Sequence, residues 1–197
     1  MTTNQALFKS LGAASLCASL CLLATDHARG TPQPIASDKA EVKFVSKQMN
    51  VPVDGRFKKV SGTLDFDPEK PETAKAQVSV DLTSIDMGFE DVEKEAQRPL
   101  WFNTAKFPHA TFSSTAVKPA GPGKYEVAGK LTIKGITRDV TLPITLTNKP
   151  GGPASVDGAL TIKRLDFKIG EGEWSDTETV ANEVQIKFRM ALPAAGR

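Results

Sequence analysis

Alternation between apolar and polar residues over 124–147 constrains the fold more than any other feature of this sequence. Over 124–134 every second residue is apolar or small, and the residues between them are mostly polar. After Lys134 and Gly135, the alternation resumes over 139–147. A period of two places the two sets on opposite faces of a strand, so each segment predicts a strand with one apolar face. Two such strands joined by a short turn that contains glycine predict a hairpin.

The rest of the chain largely repeats this pattern. Further strands are predicted over residues 41–47, 53–67, 74–82, 110–118, 156–166 and 183–192. After the third strand the period changes, because Phe89, Val92 and Ala96 recur at helical spacing before Pro99. Eight antiparallel strands, with one short helix between the third and the fourth, predict an all-β fold. We expect an up-and-down barrel, which hides its strand edges and can hold a ligand.

Residues 1–30 predict an export signal. Lys9 supplies a positive charge, residues 11–24 are uncharged and apolar, and the small residues Ala28 and Gly30 predict cleavage after Gly30. The apolar stretch is shorter than the about 20 residues of a membrane span. Cys17 and Cys21 both lie in it, each after a leucine rather than the small residue of a lipoprotein signal. We therefore expect a periplasmic product without lipidation, disulfides or a membrane-spanning segment.

The exported part predicts one domain without nucleic-acid character. Removing Lys9, Arg29 and Asp26 from the 25 basic and 23 acidic residues leaves 23 and 22, a formal charge of +1. Proteins that bind nucleic acid need a basic surface, so no nucleic-acid partner is expected. We predict a flexible leader over 31–37, a single barrel domain over 38–193 and a tail over 194–197.

Few residues have the chemistry of catalysis or metal binding. His109 is the only histidine after the predicted cleavage site, and it lies at the start of a predicted strand, where an ordinary polar residue is expected. One histidine without cysteine does not make a transition-metal site. The acidic clusters at Asp65 and Asp176 lack the spacing of a calcium loop. We predict no catalytic residue, metal site or resident cofactor.

Charged residues of the helix and strands fit solvent-facing surfaces. The acidic residues of 90–95 fit a solvated helix face better than an acidic recognition patch. Basic residues that alternate with apolar ones predict an outer barrel face that resists edge pairing. These basic residues are Lys130, Lys134, Lys163, Arg164, Lys187 and Arg189.

An aromatic segment directly after the helix is the best candidate for a ligand site. Leu100, Trp101, Phe102, Phe107 and Phe112 crowd one short stretch, where a barrel needs a plug or lid. The rings fit either plain core packing or the wall of an apolar pocket, since ligand sites are concave and lined mostly by hydrophobic and aromatic groups.

Several motifs, taken in order along the chain, resemble those of one family. The motifs are Val60-x-Gly62-x-Leu64-x-Phe66-Asp67-Pro68, Ser84-Ile85-Asp86, Trp101-Phe102-Asn103, Phe107-Pro108-x-Ala110-x-Phe112-x-Ser114, Tyr125-x-Val127-x-Gly129-x-Leu131-Thr132-Ile133-x-Gly135-Ile136-Thr137-Arg138-x-Val140 and Arg164-x-Asp166-Phe167-x-Ile169-Gly170. Together they resemble the YceI-like family, secreted bacterial proteins with an elongated, lipocalin-like antiparallel barrel. The resemblance covers residues 38–192.

The resemblance implies a ligand and a partner. It implies that the barrel binds a polyisoprenoid or a similar long-chain amphiphile, such as a fatty-acyl chain. It implies no agreed catalytic activity. The chain resembles a branch whose members are sometimes linked to membrane b-type cytochromes, which implies a functional link to such a cytochrome and a quinone-like ligand. We predict ligand contacts from Phe44, Phe57, Val80, Leu82, Trp101, Phe102, Phe107, Phe112, Tyr125, Leu131, Leu142, Phe167 and Phe188.

Two departures from the family pattern weaken an enzymatic role. Many relatives carry a histidine where Gln48 stands, and an Arg-Asp-x-His-Leu element where this chain has residues 90–96. The sequence still leaves three functions open, namely a lipid carrier, an enzyme that acts on lipids, and a stress-related interaction module with a filled core. It also leaves open whether the protein is a monomer or a homodimer, and which apolar side chains face a cavity.

Overall fold

Antiparallel strands in one continuous sheet make up most of the protein. The structure, a computed structural model, describes residues 32–35, 37–67, 70–147 and 154–192. In this part of the chain eleven strands occur: β1 (Gln33–Ile35), β2 (Ala40–Gln48), β3 (Val51–Phe57), β4 (Val60–Asp65), β5 (Lys75–Asp81), β6 (Ile85–Asp86), β7 (His109–Gly121), β8 (Lys124–Ile133), β9 (Ile136–Thr147), β10 (Ser155–Lys163) and β11 (Glu183–Ala191). The predicted export signal, 1–30, and the tail, 194–197, lie outside the described residues.

The hairpin predicted from the alternation is β8 and β9. Its register runs without interruption from Lys124↔Thr145 to Ile133↔Ile136. The two turn residues, Lys134 and Gly135, have φ of 50° and 75°, as the mirror-image turns of two-residue hairpins require. The Lys134 ammonium donates to the carbonyl oxygen of Lys168 (2.6 Å) and to Glu171 (3.1 Å). Lys134 is therefore buried, and its predicted place on the outer face is wrong.

The number of strands differs from the predicted eight. The predicted strand over 53–67 is two strands, because the N–H groups of Lys58 and Lys59 turn to Ser84 and donate to its carbonyl oxygen (3.1 Å) and its Oγ (3.0 Å). Directly after Ser84, the two residues of β6 pair with β3. The third additional strand, β1, lies in the segment predicted as a flexible leader; it pairs with β4, and Ile35 is buried.

The order of the strands requires the sheet to curl on itself. Along the sheet the order is β1-β4-β5-β7-β8-β9-β10-β11-β2-β3-β6. β3 and β4 lie near opposite ends of this order, yet only Lys58 and Lys59 separate them in the chain. Three peptide steps span at most about 11 Å, so the two ends of the sheet meet. The arrangement is barrel-like, and the inward faces of the strands enclose an interior.

Backbone pairing closes only part of the seam between β9 and β10, and side chains close the rest. β9 and β10 pair only from Ser155↔Thr147 to Gly158↔Ile144, next to Pro143. Beyond this point the 3-10 helix Arg164–Phe167 lies against β9, where Arg138 donates to the carbonyl oxygen of Asp166 (3.1 Å). Phe167 packs there in the main buried cluster, whose other members are Leu82, Ala110, Ile133, Ile162 and Ile169.

The single α-helix of the described residues, α1 (Glu90–Ala96), confirms the predicted helix. It lies between β6 and β7, and an ion pair at i, i+4 joins Glu90 and Lys94 (2.7 Å) on its exposed side. No helix in the described ranges is long and apolar enough to cross a bilayer.

Candidate functional site

The interior of the sheet holds two apolar cavities that adjoin each other. The upper cavity, which α1 borders, has a volume of about 460 Å³, and the lower cavity has a volume of about 180 Å³. Val42, Val80, Leu131 and Ile186 line both cavities. Because they share these walls, the two cavities are neighbouring parts of one elongated interior that follows the strands.

The lower cavity contains no charged side chain among its lining residues. Only Ser114 and Tyr125 bring polar side-chain atoms to it, and Ser114 Oγ already accepts the backbone N–H of Ala76 (2.8 Å). None of its lining residues is exposed on the protein surface. Such a wall offers apolar contact and almost no hydrogen bonding, which suits a hydrocarbon chain.

Eleven of the thirteen predicted ligand contacts line this interior. Phe44, Phe57, Leu82, Trp101 and Phe102 line the upper cavity, Phe112, Tyr125, Leu142 and Phe188 the lower one, and Val80 and Leu131 both. Their contact with a ligand remains a prediction.

Phe107 and Phe167 line neither cavity. The Phe107 ring covers Gly135 at the β8–β9 turn, with the Lys106 ammonium 5.3 Å from its centroid. Phe167 is 2 % exposed and fills the seam beside β9. Both rings are used in packing outside the interior, so the structure does not support them as cavity wall.

Three phenylalanine rings of the cavity wall lie against glycines of a neighbouring strand. In each pair a Cβ on the glycine would overlap the ring; the pairs are Phe44–Gly55, Phe112–Gly129 and Phe188–Gly158. Glycine leaves the space beside its backbone free, so the ring lies along the wall and projects less into the interior. The glycines therefore contribute to the width of both cavities.

Aromatic rings form much of the upper wall. The Phe57 ring contacts Phe44 at a centroid distance of 5.6 Å and meets Phe102 edge-on at 6.0 Å. Trp101 packs on Trp174 at 5.5 Å. The indole Nε1 atoms of both tryptophans are buried and have no acceptor among the described residues. An unpaired buried donor costs about 1–3 kcal/mol, so two together are unusual in a packed wall.

The upper cavity opens to solvent between α1 and the β2–β3 turn. Gln48, Asp91 and Val92 line the cavity and are exposed, which marks its mouth. The prediction of a solvated acidic helix face agrees with the exposure of Asp91, but Asp91 and the half-buried Glu95 also line the cavity, because residues at i and i+4 share one side of a helix. Gln48, the position at which the resemblance implies a histidine in many relatives, also lies at this mouth.

Arg164 is a buried structural cation in the upper wall. It is 1 % exposed, so its predicted place on the outer face is wrong. All five of its N–H groups donate to backbone carbonyl oxygens: Nε to Ala181 (3.1 Å), Nη1 to Ile169 (2.9 Å) and Gly170 (2.8 Å), and Nη2 to Trp174 (2.7 Å) and Val180 (2.7 Å). Burial lowers the pKa of Arg164 from its ordinary value, while the charge of Asp176 acts in the opposite direction. Arg164 thus joins the 169–181 loop to the sheet.

The residues considered for catalysis and metal binding lie outside the cavities. His109 is exposed at the start of β7, opposite Asp81 of β5, and lines neither cavity. Within the described ranges, no group of three or more His, Cys, Asp or Glu side chains is placed to hold a metal ion.

Trp174 is the main wall residue that the sequence did not indicate. It lies in the 3-10 helix Gly172–Trp174, where no alternation or helical spacing marks an inward side. The loop comes to the cavity through long-range contacts, since Met49 donates to Thr179 (2.9 Å) and Ala181 donates to Lys47 (2.9 Å). The position of Asp91 and Glu95 did have a signal in the sequence. They recur at i, i+4 next to the apolar residues Val92 and Ala96, which recur at the same spacing.

Relatives of this chain are found over most of its length. The YceI-like domain matches residues 34–192. Protein YceI of Escherichia coli O157:H7 is 36% identical over 120 residues, 58% of this chain, and the match spans only 62% of that relative's length. A UPF0312 protein of Shewanella oneidensis is 32% identical over 171 residues, 84% of this chain and 88% of the relative.

Solved structures share the fold. The crystal structure of Burkholderia cenocepacia BcnA is 45% identical, covers 81% of this chain and 99% of its own, and superposes with a TM-score of 0.77. A polyisoprenoid binding domain from Saccharophagus degradans, implicated in plant cell wall breakdown, is 19% identical with a TM-score of 0.63, covers 81% of this chain and 98% of its own, and shows the common fold. With the domain match over 34–192, these similarities establish that the chain belongs to the YceI-like family.

Proposed function

We propose that this protein binds the long apolar chain of an isoprenoid or a similar amphiphile in the interior of its sheet. The observation that carries the proposal is the pair of adjoining cavities, apolar along most of their walls and without a charge in the lower one. Their volumes, about 180 and 460 Å³, together fall in the range of about 300–1,000 Å³ that is typical of ligand sites. The Saccharophagus domain supports the ligand class by analogy of fold alone.

The length of the strands favours an elongated ligand. β7 has 13 residues and β9 has 12. At about 3.3 Å per residue and a tilt near 40°, such strands extend roughly 30 Å along the axis of a barrel. We further propose that the sheet closes into a lipocalin-like barrel and that the chain of the ligand runs along its axis through both cavities.

The place of action that we propose is the periplasm. The basis is the export signal predicted over 1–30, with its positive charge, apolar stretch and small residues before the cleavage site. There the protein would act as a carrier. A quinone-like ligand and a functional link to a membrane b-type cytochrome rest on resemblance to a branch of the family.

The two alternative functions have less support. A filled core would leave no space beside Phe102 and Phe112, whereas both rings line cavities. A lipid hydrolase would need a nucleophile with an activating base at the ligand, and His109 lies outside the interior. We therefore propose binding without turnover.

Mass spectrometry of organic extracts from the purified protein tests this function. We expect a long-chain isoprenoid or acyl lipid, recovered unchanged after incubation with the protein. In Leu131→Trp a large ring replaces a side chain that lines both cavities, so the extract should lose the lipid. Lys130→Trp, at the neighbouring exposed position, is the matched control and should keep it. Extracts without lipid, or equal lipid in both variants, would contradict binding in this interior.

A further inference from the structure

The end of the protein where the upper cavity opens is acidic, although the whole chain has a formal charge of +2. Segment 90–98 contains four carboxylates against two cations, and segment 171–180 contains four carboxylates and no basic residue. Both segments border the upper cavity, the first through Asp91 and Glu95 and the second through Trp174 and Val180. A charged head group that enters here passes a concentration of negative charge.

Ion pairs neutralise only part of this charge. Glu90 pairs with Lys94 (2.7 Å), Glu95 with Arg98 (3.0 Å) and Glu171 with Lys134 (3.1 Å). The Asp91 carboxylate, at the mouth itself, has no hydrogen-bond or ion-pair partner in the described part of the chain. An anion at the mouth is therefore repelled, and the repulsion is stronger next to the low-dielectric wall than in open water.

The upper wall also lacks an anchor for an anion. Arg164 is the only cationic residue that lines either cavity among the described residues, and all five of its N–H groups are already used by backbone carbonyls. The charge of Asp176 acts on Arg164, but no carboxylate is hydrogen-bonded to the guanidinium, so its positive charge still opposes a second cation in the same wall. Neither sign of charge is favoured along the whole path from the mouth to this wall.

The upper wall does offer hydrogen bonding without charge. The indole N–H groups of Trp101 and Trp174 are buried and unpaired among the described residues, and both side chains line the upper cavity. An oxygen acceptor that reaches either N–H after a small shift of the wall recovers a hydrogen bond that the protein alone does not make.

We infer that the upper cavity selects an uncharged, oxygen-bearing head group, such as an alcohol or a carbonyl, and that its acidic mouth discriminates against carboxylates, phosphates and diphosphates. This inference rests on the proposed function, because it assigns the head-group end of the same interior. The apolar chain of the ligand then extends into the lower cavity.

Three C20 probes with the same hydrocarbon chain test the inference: geranylgeraniol, geranylgeranyl diphosphate and geranylgeranylamine. Affinities are measured with delipidated full-length protein, by fluorescence titration below the micellar concentration of each probe. We expect the alcohol to bind, the diphosphate to bind at least roughly tenfold more weakly, and the amine to bind no more tightly than the alcohol. The penalty on the diphosphate should shrink as salt rises from about 0.01 M to about 1 M.

Charge-removing variants of α1 locate the selection. Asp91→Asn combined with Glu95→Gln should strengthen diphosphate binding by roughly threefold to tenfold and change alcohol binding by less than about twofold. Glu90→Gln removes one charge of the same sign from the same helix, at a side chain that lines neither cavity, and is the matched control for Asp91→Asn alone. The double variant Trp101→Phe with Trp174→Phe should weaken binding of the alcohol more than it weakens binding of the C20 hydrocarbon phytane.

The outcomes separate this inference from the proposed function. If none of the probes binds, binding of a long apolar chain in this interior is wrong. If the alcohol binds but the diphosphate binds as tightly, or the amine binds more tightly, the protein is a lipid binder and the selection of an uncharged head group is wrong. Equal effects of Glu90→Gln and of the Asp91 and Glu95 variant would also overturn selection at the mouth.

Discussion

The ring of Phe188 on β11 lies against Gly158, its register partner on β10, with no space for a Cβ between them. A side chain at 158 would displace the ring toward the lower cavity, which Phe188 lines. Phe44 likewise lies against its register partner Gly55, and the Phe112 ring lies against Gly129, two residues from its own partner Leu131. Three glycines on three strands thus allow large rings to form a wall without filling the interior.

Gly158→Ala should weaken ligand binding and also lower the free energy of unfolding. The new methyl group displaces the Phe188 ring into the lower cavity, so we expect the affinity for a long-chain isoprenoid to fall by roughly tenfold, about 1.4 kcal/mol. The overpacking should cost about 1–3 kcal/mol of unfolding free energy at most. Fluorescence titration of delipidated protein and urea melts measure the two effects. Adding Phe188→Leu should restore binding, and unchanged affinity in the single variant would contradict the role of the glycine.

Phe102→Ala and Phe167→Ala should separate cavity wall from packed core. Phe102 lines the upper cavity, so its loss should cost on the order of 1 kcal/mol of stability and weaken the ligand by a comparable or larger free energy. Phe167 is 2 % exposed, so Phe167→Ala should lower the free energy of unfolding by about 3–5 kcal/mol and leave the ligand affinity per folded molecule unchanged. Lys75→Ala, on the exposed face of β5, should change neither quantity. Equal stability losses for the two phenylalanines would place Phe102 in plain core.

Arg164→Met should destabilise the protein strongly. The substitution leaves five buried or half-buried carbonyl oxygens without their donor, and we expect a loss of about 3–5 kcal/mol in unfolding free energy, measured by urea melts. Limited proteolysis should then cleave within 169–181. Arg164→Lys should rescue little, because an ammonium has three donors and no planar fork. A lysine variant as stable as the unmodified protein would show that the charge, not the hydrogen-bond geometry, matters.

Part of the protein's stability should depend on pH through the charge of Asp176. Hydrogen bonds from Thr179 Oγ1 (2.7 Å) and the Glu178 N–H (3.0 Å) hold the pKa of Asp176 below its ordinary value of 3.8. A folded-state pKa below the unfolded one gives a contribution that is complete at neutral pH and is lost as pH falls through the folded pKa. Urea melts of the unmodified protein and Asp176→Asn should therefore differ at neutral pH and converge below about pH 4. A difference that stays constant with pH would exclude this carboxylate as the cause.

The intact mass of the protein from the periplasm should match a chain that begins near Thr31. The positive charge, the apolar stretch and Ala28-Arg29-Gly30 are the basis for this expectation. Mass spectrometry of the periplasmic fraction measures it directly. A mass that retains residues 1–30, or that carries acyl chains on Cys21, would contradict export with cleavage at this site.

The strands could be predicted where their pattern and their pairing are both local. The β8–β9 hairpin needs only the alternation on each side and two turn residues, Lys134 and Gly135, that adopt positive φ. The division of 53–67 into β3 and β4 could not be predicted in this way, because it depends on Ser84, distant in sequence, whose carbonyl and Oγ accept the N–H groups of Lys58 and Lys59.

The charged residues show the same limit. Alternation placed Arg164 and Lys134 among outward-facing basic residues, yet both are buried, since acceptors from the 168–181 loop surround each head group. The acceptors come from a loop without periodicity, so a pattern along one strand contains no information about them.

The sequence by itself determined which alternate residues of β11 are apolar, and hence that Phe188 points inward. It did not determine whether an inward ring meets other side chains or open space. That was decided by contacts across the sheet: Phe167 is enclosed by residues of other elements, whereas Phe188 is drawn back against Gly158 beside a cavity. Side-chain direction follows from the local period of the backbone, but packing depends on the volumes of residues that only the folded chain brings together.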